Sequence, residues 1–253
     1  MTNKYLETLE RFRIDPNFWC SEEYFEAAGW ETYTSGGSVY VSDSEGHLML
    51  PPIELKTGIV HHCSVPVWSS LPGLSSGEFL DYNFLYMPAL FRNLTGGDVA
   101  VFRKNSRKFA ARHPELTLLY REATPTDDLS ALMVSWLEGR ERIVQDADVI
   151  LKYIDSGKNR WVLVDQNGAI YGVNIWDSNH RFVNYRYCFC YPGQFLSEYM
   201  RLLFYTHIGD DKLVNDGGCL GDDNLYHFKM KLRPFRVFKV FSLASNGGVY
   251  EEG

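Results

Sequence analysis

No apolar run in this chain approaches 18 residues, so no stretch is long enough to cross a bilayer as a helix. Cysteine is scarce and scattered, at positions 20, 63, 188, 190 and 219, and no CxxC pair occurs. That excludes the usual disulfide framework and zinc-finger spacings. Positive charge is in deficit: a net charge of -7 disfavours general attraction to nucleic acid phosphates or anionic lipid surfaces. Residues 1–13 are charged and amphipathic, without the apolar core of a secretion signal. These absences lead to the expectation of a soluble, cytoplasmic protein with buried thiols, no metal and no integral membrane association.

What is present is material for a core. Over 253 residues, 45% hydrophobic and 15% aromatic content indicates a globular chain of one large domain or two small ones. Helices are expected over 3–13 and 21–29, the second capped by Ser21-Glu22-Glu23, and short strands over 31–34, 38–42 and 47–50. Residues 53–75 resist assignment. His61-His62-Cys63 lies among them, but adjacent histidines point different ways in any regular element, which disfavours a metal site. A helix broken at Pro88 is expected over 77–92, then a basic helix from Arg103 to Arg112 and a strand over 116–120. A helix near 126 shows Leu129, Leu132, Met133 and Trp136 at helical spacing, and another covers 144–154. A meander of strands follows over 161–165, 169–176 and 182–190, with a turn at Asn167-Gly168. A buried helix over 194–207, a short strand at Leu213-Val214, a helix over 225–232 and a strand over 237–243 complete the order. Such an order implies an α+β or mixed α/β fold with helices on the faces of a sheet. No internal repeat is visible by letter identity.

The most informative segment runs from Asn215 to Pro234. Gly217, Gly218 and Gly221 let backbone approach a ligand, and the loop opens onto a helix N-terminus, which presents N–H groups to an anion. Asp222, Asp223 and Asn224 suit the capping positions. At 100° per residue, Leu225, Phe228 and Leu232 form an apolar stripe; Lys229 lies beside it, with Tyr226 and Arg233 on the same flank and Lys231 opposite. This pattern suits acyl transfer, which needs a neutral amine, a positioned carbonyl and a stabilised oxyanion. An activated ester needs no nucleophile triad. Lys229 is the expected donor to the oxyanion or to the donor's terminal phosphate–ribose, supported by Tyr226 and Arg233. Asn215 or Asp216 engages the acceptor amine, Asp216 as a base, unless both serve the architecture of their own turn. Gly217, Gly218, Asn224, Phe228 and Tyr205 are further candidates for contact with substrate. Arg103 and Arg107, one helical turn apart, form either a solvated face or a clamp for a phosphate or carboxylate.

These letters resemble the GNAT acyltransferase superfamily, and more narrowly its tandem-GNAT branch. That branch holds the Fem-type aminoacyltransferases and the catalytic domain of lysyl-phosphatidylglycerol synthases. The resembling pieces are Val214 to Gly218, Asn224 to Lys229 and Leu232-Arg233-Pro234, with weaker likeness at Asp81-Tyr82, Leu94-Thr95-Gly96 and Lys104-Asn105. The resemblance implies tandem GNAT-like domains at 1–120 and 121–253, with mixed, mostly antiparallel sheets flanked by helices and the active site in the second. It also implies that Lys229 of Phe228-Lys229 is catalytic. Ordinary acetyltransferases cradle coenzyme A with a Q/R-x-x-G-x-G/A loop; here that junction is Tyr191-Pro192-Gly193-Gln194-Phe195, whose proline has no N–H to donate. The Fem-like branch shares this absence and takes aminoacyl-tRNA as donor. The implied function is therefore transfer of an aminoacyl or acyl group from an activated donor, aminoacyl-tRNA before acyl-CoA, to an amine or hydroxyl acceptor, with no tightly bound cofactor. Two alternatives remain: an acyl-CoA-dependent N-acetyltransferase with an atypical site, and a GNAT-fold module that binds a ligand without chemistry.

Overall fold

Period-two alternation organises the centre of the molecule. In the segment Arg160–Val164, Val162 and Val164 join one apolar cluster and Leu163 joins another, as a strand between two layers requires. A computed structural model describes residues 2–11, 18–35, 38–42, 48–50, 59–64, 74–93, 97, 99–120, 126–138, 147–156, 160–179, 181–209 and 211–245. Helices α1 (Thr2–Arg11) and α2 (Glu22–Ala28) precede strands β1 (Glu31–Ser35), β2 (Ser38–Ser42), β3 (Leu48–Leu50), β4 (Ile59–Ser64) and β5 (Leu74–Tyr86). Helices α3 (Pro88–Asn93) and α4 (Ala100–Arg112) lead to β6 (Thr117–Tyr120). Helices α5 (Thr126–Leu137) and α6 (Ala147–Ser156) lead to a meander of β7 (Arg160–Val164), β8 (Ile170–Ser178) and β9 (Phe182–Cys190). Then come α7 (Leu196–His207), β10 (Leu213–Asn215), α8 (Asp223–Lys231) and β11 (Arg236–Ser245).

Eight of these strands form one mixed sheet in the order β4-β11-β5-β10-β9-β8-β7-β6, and β1-β2-β3 form a small second sheet. The β10–β9 pair is parallel and the other described pairs are antiparallel. Strands from both sides of residue 120 share the large sheet. One of its faces packs Leu129, Leu132, Ile150 and Tyr153 of α5 and α6 against Val173, Ile175 and Phe189, joined by Tyr5, Leu9 and Phe25. The other face packs Phe204 and Tyr205 of α7, Phe102 of α4 and Phe91 of α3 against Phe84, Tyr86, Tyr185 and Val214. The architecture is thus mixed α+β, helices on both faces. No helix among the described residues is long and apolar enough to cross a membrane.

One expected element is corrected. The helix proposed over 77–92 is a strand through Tyr86, because Tyr82, Phe84 and Tyr86 alternate with Asp81, Asn83 and Leu85. Pro88 begins a helix instead of breaking one, since a first-turn proline lacks only an N–H that would have had no partner. Gly73-Leu74-Ser75-Ser76-Gly77 has G-x-S-x-G spacing, but residues 74–77 open a strand and are not the strand–turn–helix of a nucleophile elbow. The side chains of His61, His62 and Cys63 lie outside the described residues.

A bulge ties the N-terminal helices to the sheet. Trp176 pairs with Tyr185 and Ile175 with Tyr187, leaving Arg186 as the extra residue of β9. Its Nε donates to Asp177 Oδ2 at 2.5 Å and its Nη2 to Ser21 Oγ at 2.9 Å. Ser21 also accepts the Tyr24 N–H at 3.1 Å as the cap of α2, and Tyr153 donates to the same Asp177 oxygen at 2.5 Å. Both side chains of the ion pair are 0% exposed. Removing one partner strands the other charge in the interior. Arg186→Met should therefore lower the unfolding free energy by about 3–5 kcal/mol in urea titrations, and adding Asp177→Asn should recover part of that loss.

Candidate functional site

The sheet opens where β10 ends. Asn215 pairs with Asn184 of β9, and β9 then runs on to Cys190 without a β10 partner. Beyond Asn215 the chain turns through residues 216–222 into α8, and strand alternation sends neighbouring side chains to opposite sides. Asn215 turns toward Asn83: its Nδ2 donates to Asn83 Oδ1 at 2.8 Å, and its own Oδ1 accepts the Gly217 N–H at 3.0 Å. Asp216 turns toward α7. There its Oδ2 accepts hydrogen bonds from Tyr205 Oη at 2.8 Å and from Arg201 Nη1. Arg201 and Tyr205 are four residues apart in α7 and so share one face.

Lys229 comes into this cluster from α8 and is only 3% exposed. Its ammonium donates to the Gly218 carbonyl at 2.6 Å and to the Asp216 carbonyl, and stands 3.2 Å from Asp216 Oδ1. An ammonium has three donors, and all three face protein oxygens. Tyr86 of β5 donates to the Lys229 carbonyl at 2.8 Å, which fixes the helix to the sheet. The loop is also gripped from β5. Asp81 accepts the Cys219 N–H at 2.9 Å through Oδ1 and the Leu220 N–H at 2.8 Å through Oδ2. A Cβ on Gly218 would stand 2.0 Å from that Oδ2, and Gly217, at φ 58°, faces the Phe18 ring at 3.1 Å from the same test position. Asp222 caps α8, its Oδ1 accepting the N–H groups of Asn224 and Leu225.

Electrostatics follows from this burial. Desolvation lowers the Lys229 pKa, opposed by Asp216 and reinforced by Arg201. Desolvation, then the Asp216 charge, raises Tyr205 and Tyr86 well above the ordinary phenol range. Burial and Asp81 push the Cys219 thiol up to about 11. Arg201 rises despite desolvation because Asp216 and the surrounding phenols favour its charge. Its side chain is 12% exposed, and its guanidinium carbon lies 5.3 Å from the Tyr185 ring centre and 5.4 Å from that of Phe228. Arg201 and Phe228 are both partly exposed at this network.

The structure brings Lys229, Asp216 and Tyr205 together, with Gly217 and Gly218 in the loop they hold. Asn215 lies on the other side of the sheet, in its own turn. Tyr226 packs on Tyr82 and Phe84, with ring centres 5.0 and 5.7 Å away. Asn224 is exposed. Arg233 does not share the Lys229 flank: α8 ends at Lys231, Leu232 closes it, and Arg233 turns away with φ 56°. Extending 100° per residue past a helix end produced that error. Arg103 and Arg107 line a shallow groove of about 410 Å³ with Lys104 and Lys108, which includes no loop residue. A cleft of about 480 Å³ lies at the β9–α7 junction, lined by Tyr191, Pro192, Gly193, Gln194, Arg112 and His113 among others. Sequence reasoning missed Arg201 and Tyr86 and took Asp81 only as part of a resemblance. A lone arginine one turn before Tyr205 in an apolar helix was the available signal; nothing local marked Tyr86.

No family model matches this sequence, and no curated protein matches it as a relative. Solved structures do share its fold. A conserved protein of unknown function from Bacteroides thetaiotaomicron is 12% identical, with 97% of this chain and 98% of that one aligned at a TM-score of 0.75. The C-terminal DUF2156 domain of a protein named as a lysylphosphatidylglycerol synthetase, from Agrobacterium fabrum, is 15% identical over 97% and 91% of the two chains, with a TM-score of 0.64. L-PGS from Bacillus licheniformis is 13% identical over 97% and 92%, with a TM-score of 0.63. At such identities the likeness establishes a common fold over essentially the whole described architecture.

Two outcomes are expected. Gly218→Ala should destabilise the protein and disturb the loop, because the new methyl collides with a carboxylate already held by the N–H groups of Tyr82, Cys219 and Leu220; thermal unfolding and amide exchange at 217–222 read this. Stability should also fall above about pH 10, the ordinary tyrosine value. The unfolded chain then releases phenolic protons that folded Tyr86, Tyr153, Tyr185 and Tyr205 retain, since each is raised chiefly by burial. Lys229 works in the opposite sense, its lowered pKa adding stability as pH climbs toward the free-lysine range. Four groups outweigh one, so the unfolding free energy from urea titrations should drop above about pH 10, by about 1.4 kcal/mol per withheld proton per pH unit.

Proposed function

We propose that this chain transfers an aminoacyl or acyl group from an activated ester to an amine or hydroxyl, with aminoacyl-tRNA as the favoured donor. The observation that carries this reading is the fold held in common, along the whole chain, with two proteins named as lysylphosphatidylglycerol synthetases. The resemblance of the 214–234 letters to the Fem-like tandem-GNAT branch supports it independently of the fold. Transfer from an ester asks mainly for position and for stabilisation of a developing oxyanion.

The three contacts of Lys229 suggest how. Two are hydrogen bonds to loop carbonyls, which anchor the ammonium, and the third is a 3.2 Å approach to Asp216 Oδ1. In our reading the third N–H is the one redirected to the donor's carbonyl oxygen in the transition state. Asp216 keeps Arg201 and Tyr205 on its other oxygen, so it is not left unpaired. Substrate approaches from the side of Arg201 and Phe228. Asp216 already receives three donors, so its proposed part is to hold the cations in place; the acceptor arrives as a neutral amine or hydroxyl, and the proton it sheds on attack passes to the ester oxygen, which leaves as the donor's hydroxyl.

A second reading has an observation of its own. A 480 Å³ cleft lined by Tyr191, Pro192, Gly193, Gln194 and Arg112 lies at the junction that the sequence resemblance matches to the coenzyme A loop of ordinary acetyltransferases. Acetyl-CoA raising the melting temperature would favour that donor, and charged tRNA doing so would favour ours.

Lys229→Met should lower kcat for transfer by about 10²–10³ while KM for the donor changes little, because the lost interaction belongs to the transition state. Circular dichroism at the assay temperature separates this from unfolding. Near-normal turnover in a folded Lys229→Met protein would end the assignment.

A further inference from the structure

Two of the four described cysteines differ from the rest. Cys20 and Cys219 are buried, whereas Cys188 and Cys190 are both partly exposed. They lie two residues apart on β9, and the bulge at Arg186 sets the side they face. Before it, Val183 and Tyr185 pack toward α7. After it, Tyr187 and Phe189 pack toward α5 and α6, so Cys188 and Cys190 turn to α7. The two thiols therefore share one face.

Polar groups and free space both adjoin them. Asn174 of β8 pairs across from Cys188; its Oδ1 accepts the Tyr185 hydroxyl at 2.5 Å and its Nδ2 donates to the Met200 carbonyl at 3.0 Å. Gly172 pairs across from Cys190, and a Cβ there would stand 3.1 Å from the Cys190 Cβ, so the glycine leaves that side chain its room. Beyond Asn184, β9 has no β10 partner on its other flank. Cys188 hydrogen-bonds with both Cys190 and Tyr185. The bond from Cys190, with the Arg201 charge and Tyr185, outweighs burial and holds the Cys188 thiol below the ordinary thiol range. Thiolate character favours attack on an oxidant, and a second thiol in contact can resolve the product.

We propose that Cys188 and Cys190 are a reversible oxidation site for hydrogen peroxide, Cys188 reacting and Cys190 resolving. The Cys188 thiolate attacks one peroxide oxygen, the O–O bond breaks, and the departing hydroxide takes up a proton to become water, leaving a sulfenic acid. The Cys190 sulfur then attacks the Cys188 sulfur, the S–O bond breaks, and the oxygen leaves as water with the Cys190 proton. Two thiols lose two electrons and the peroxide gains them, giving one disulfide and two waters. A strand rise of about 3.4 Å puts Cα atoms two residues apart at roughly 6.8 Å, the long limit for a disulfide, so the bridge is strained and easily reduced. The unpaired flank of β9 lets the strand pucker to close it. Closure draws Cys188 off Tyr185, whose ring lies 5.3 Å from the Arg201 guanidinium carbon. The oxidation site stands without the transfer reading; only its consequence, a disturbed Arg201–Asp216 pair and slower transfer, rests on it.

Trypsin, cutting after Arg186 and Arg201, releases both cysteines in one peptide, 187–201. Mass spectrometry of that peptide, from the full chain treated with hydrogen peroxide and then alkylated in denaturant, tests the proposal. The peptide should become about 2 Da lighter and take no alkyl group, and dithiothreitol should restore both alkylations. Cys188 in the folded protein should react at least about tenfold faster than it does in urea, and than Cys219, whose thiol stands at about 11. Cys190→Ser should stop at the sulfenic acid, trapped by dimedone at Cys188, and Cys188→Ser should leave Cys190 unoxidised; circular dichroism checks that both variants fold. Two alkyl groups on the peptide after peroxide, reaction no faster folded than unfolded, disulfides only between molecules, or a sulfenic acid formed equally at Cys190 would each overturn it. The assay reads no turnover, so its failure leaves the transfer reading standing, and loss of the transfer reading leaves the oxidation site standing.

Discussion

The organising contact is one ammonium set among oxygens in the interior. Lys229 reaches the carbonyls of Asp216 and Gly218 and approaches the Asp216 carboxylate, and each contact comes from the loop that links β10 to α8. A lysine so buried is tolerated only because every donor finds an acceptor and a full negative charge stands beside it. The loop, in turn, keeps its shape because that cation pulls it from one side and Asp81 holds it from the other. Without the ammonium, the Asp216 and Gly218 carbonyls lose a shared donor and the carboxylate loses one of its cations.

This dependence spreads through the fold. Asp216 joins the loop to α7 through Arg201 and Tyr205, while Tyr86 joins α8 to β5. Three separate segments, at residues 81–86, 201–205 and 215–229, therefore meet at one point where two parallel strands part. Charge at such a point acts in low dielectric, where a fixed dipole or cation has far more influence on a forming oxyanion than it has in water. Beside this network the Arg201 side chain is 12% exposed and lies against the Phe228 ring.

Much of this was legible in the letters, and the reasons differ by residue. The meander over β7 to β9 and the α7 helix follow from strict periodicity, which local sequence controls. Asp222 as a cap and the placing of Lys229 at the margin of an apolar stripe follow from spacing along one short helix. The β5 strand was misread because Phe79 to Met87 carries aromatic and apolar residues at spacings that fit either period, and its pairing with β11 and β10 decides the matter. Arg233 was misplaced by treating the helix as longer than it is. Asp81, Tyr86 and Arg201 owe their roles to contacts 138, 143 and 15 residues away in sequence, which no local pattern encodes.

The central claim is that an aminoacyl ester is the group donor. The most direct measurement follows a labelled aminoacyl group on tRNA, incubated with the purified protein and a cell extract, and resolves the products by mass spectrometry. The account predicts label leaving the tRNA and appearing on an amine or hydroxyl acceptor far faster than spontaneous hydrolysis. Label departing only as free amino acid at the uncatalysed rate, while an acetyl group moves from acetyl-CoA in the parallel reaction, would contradict it.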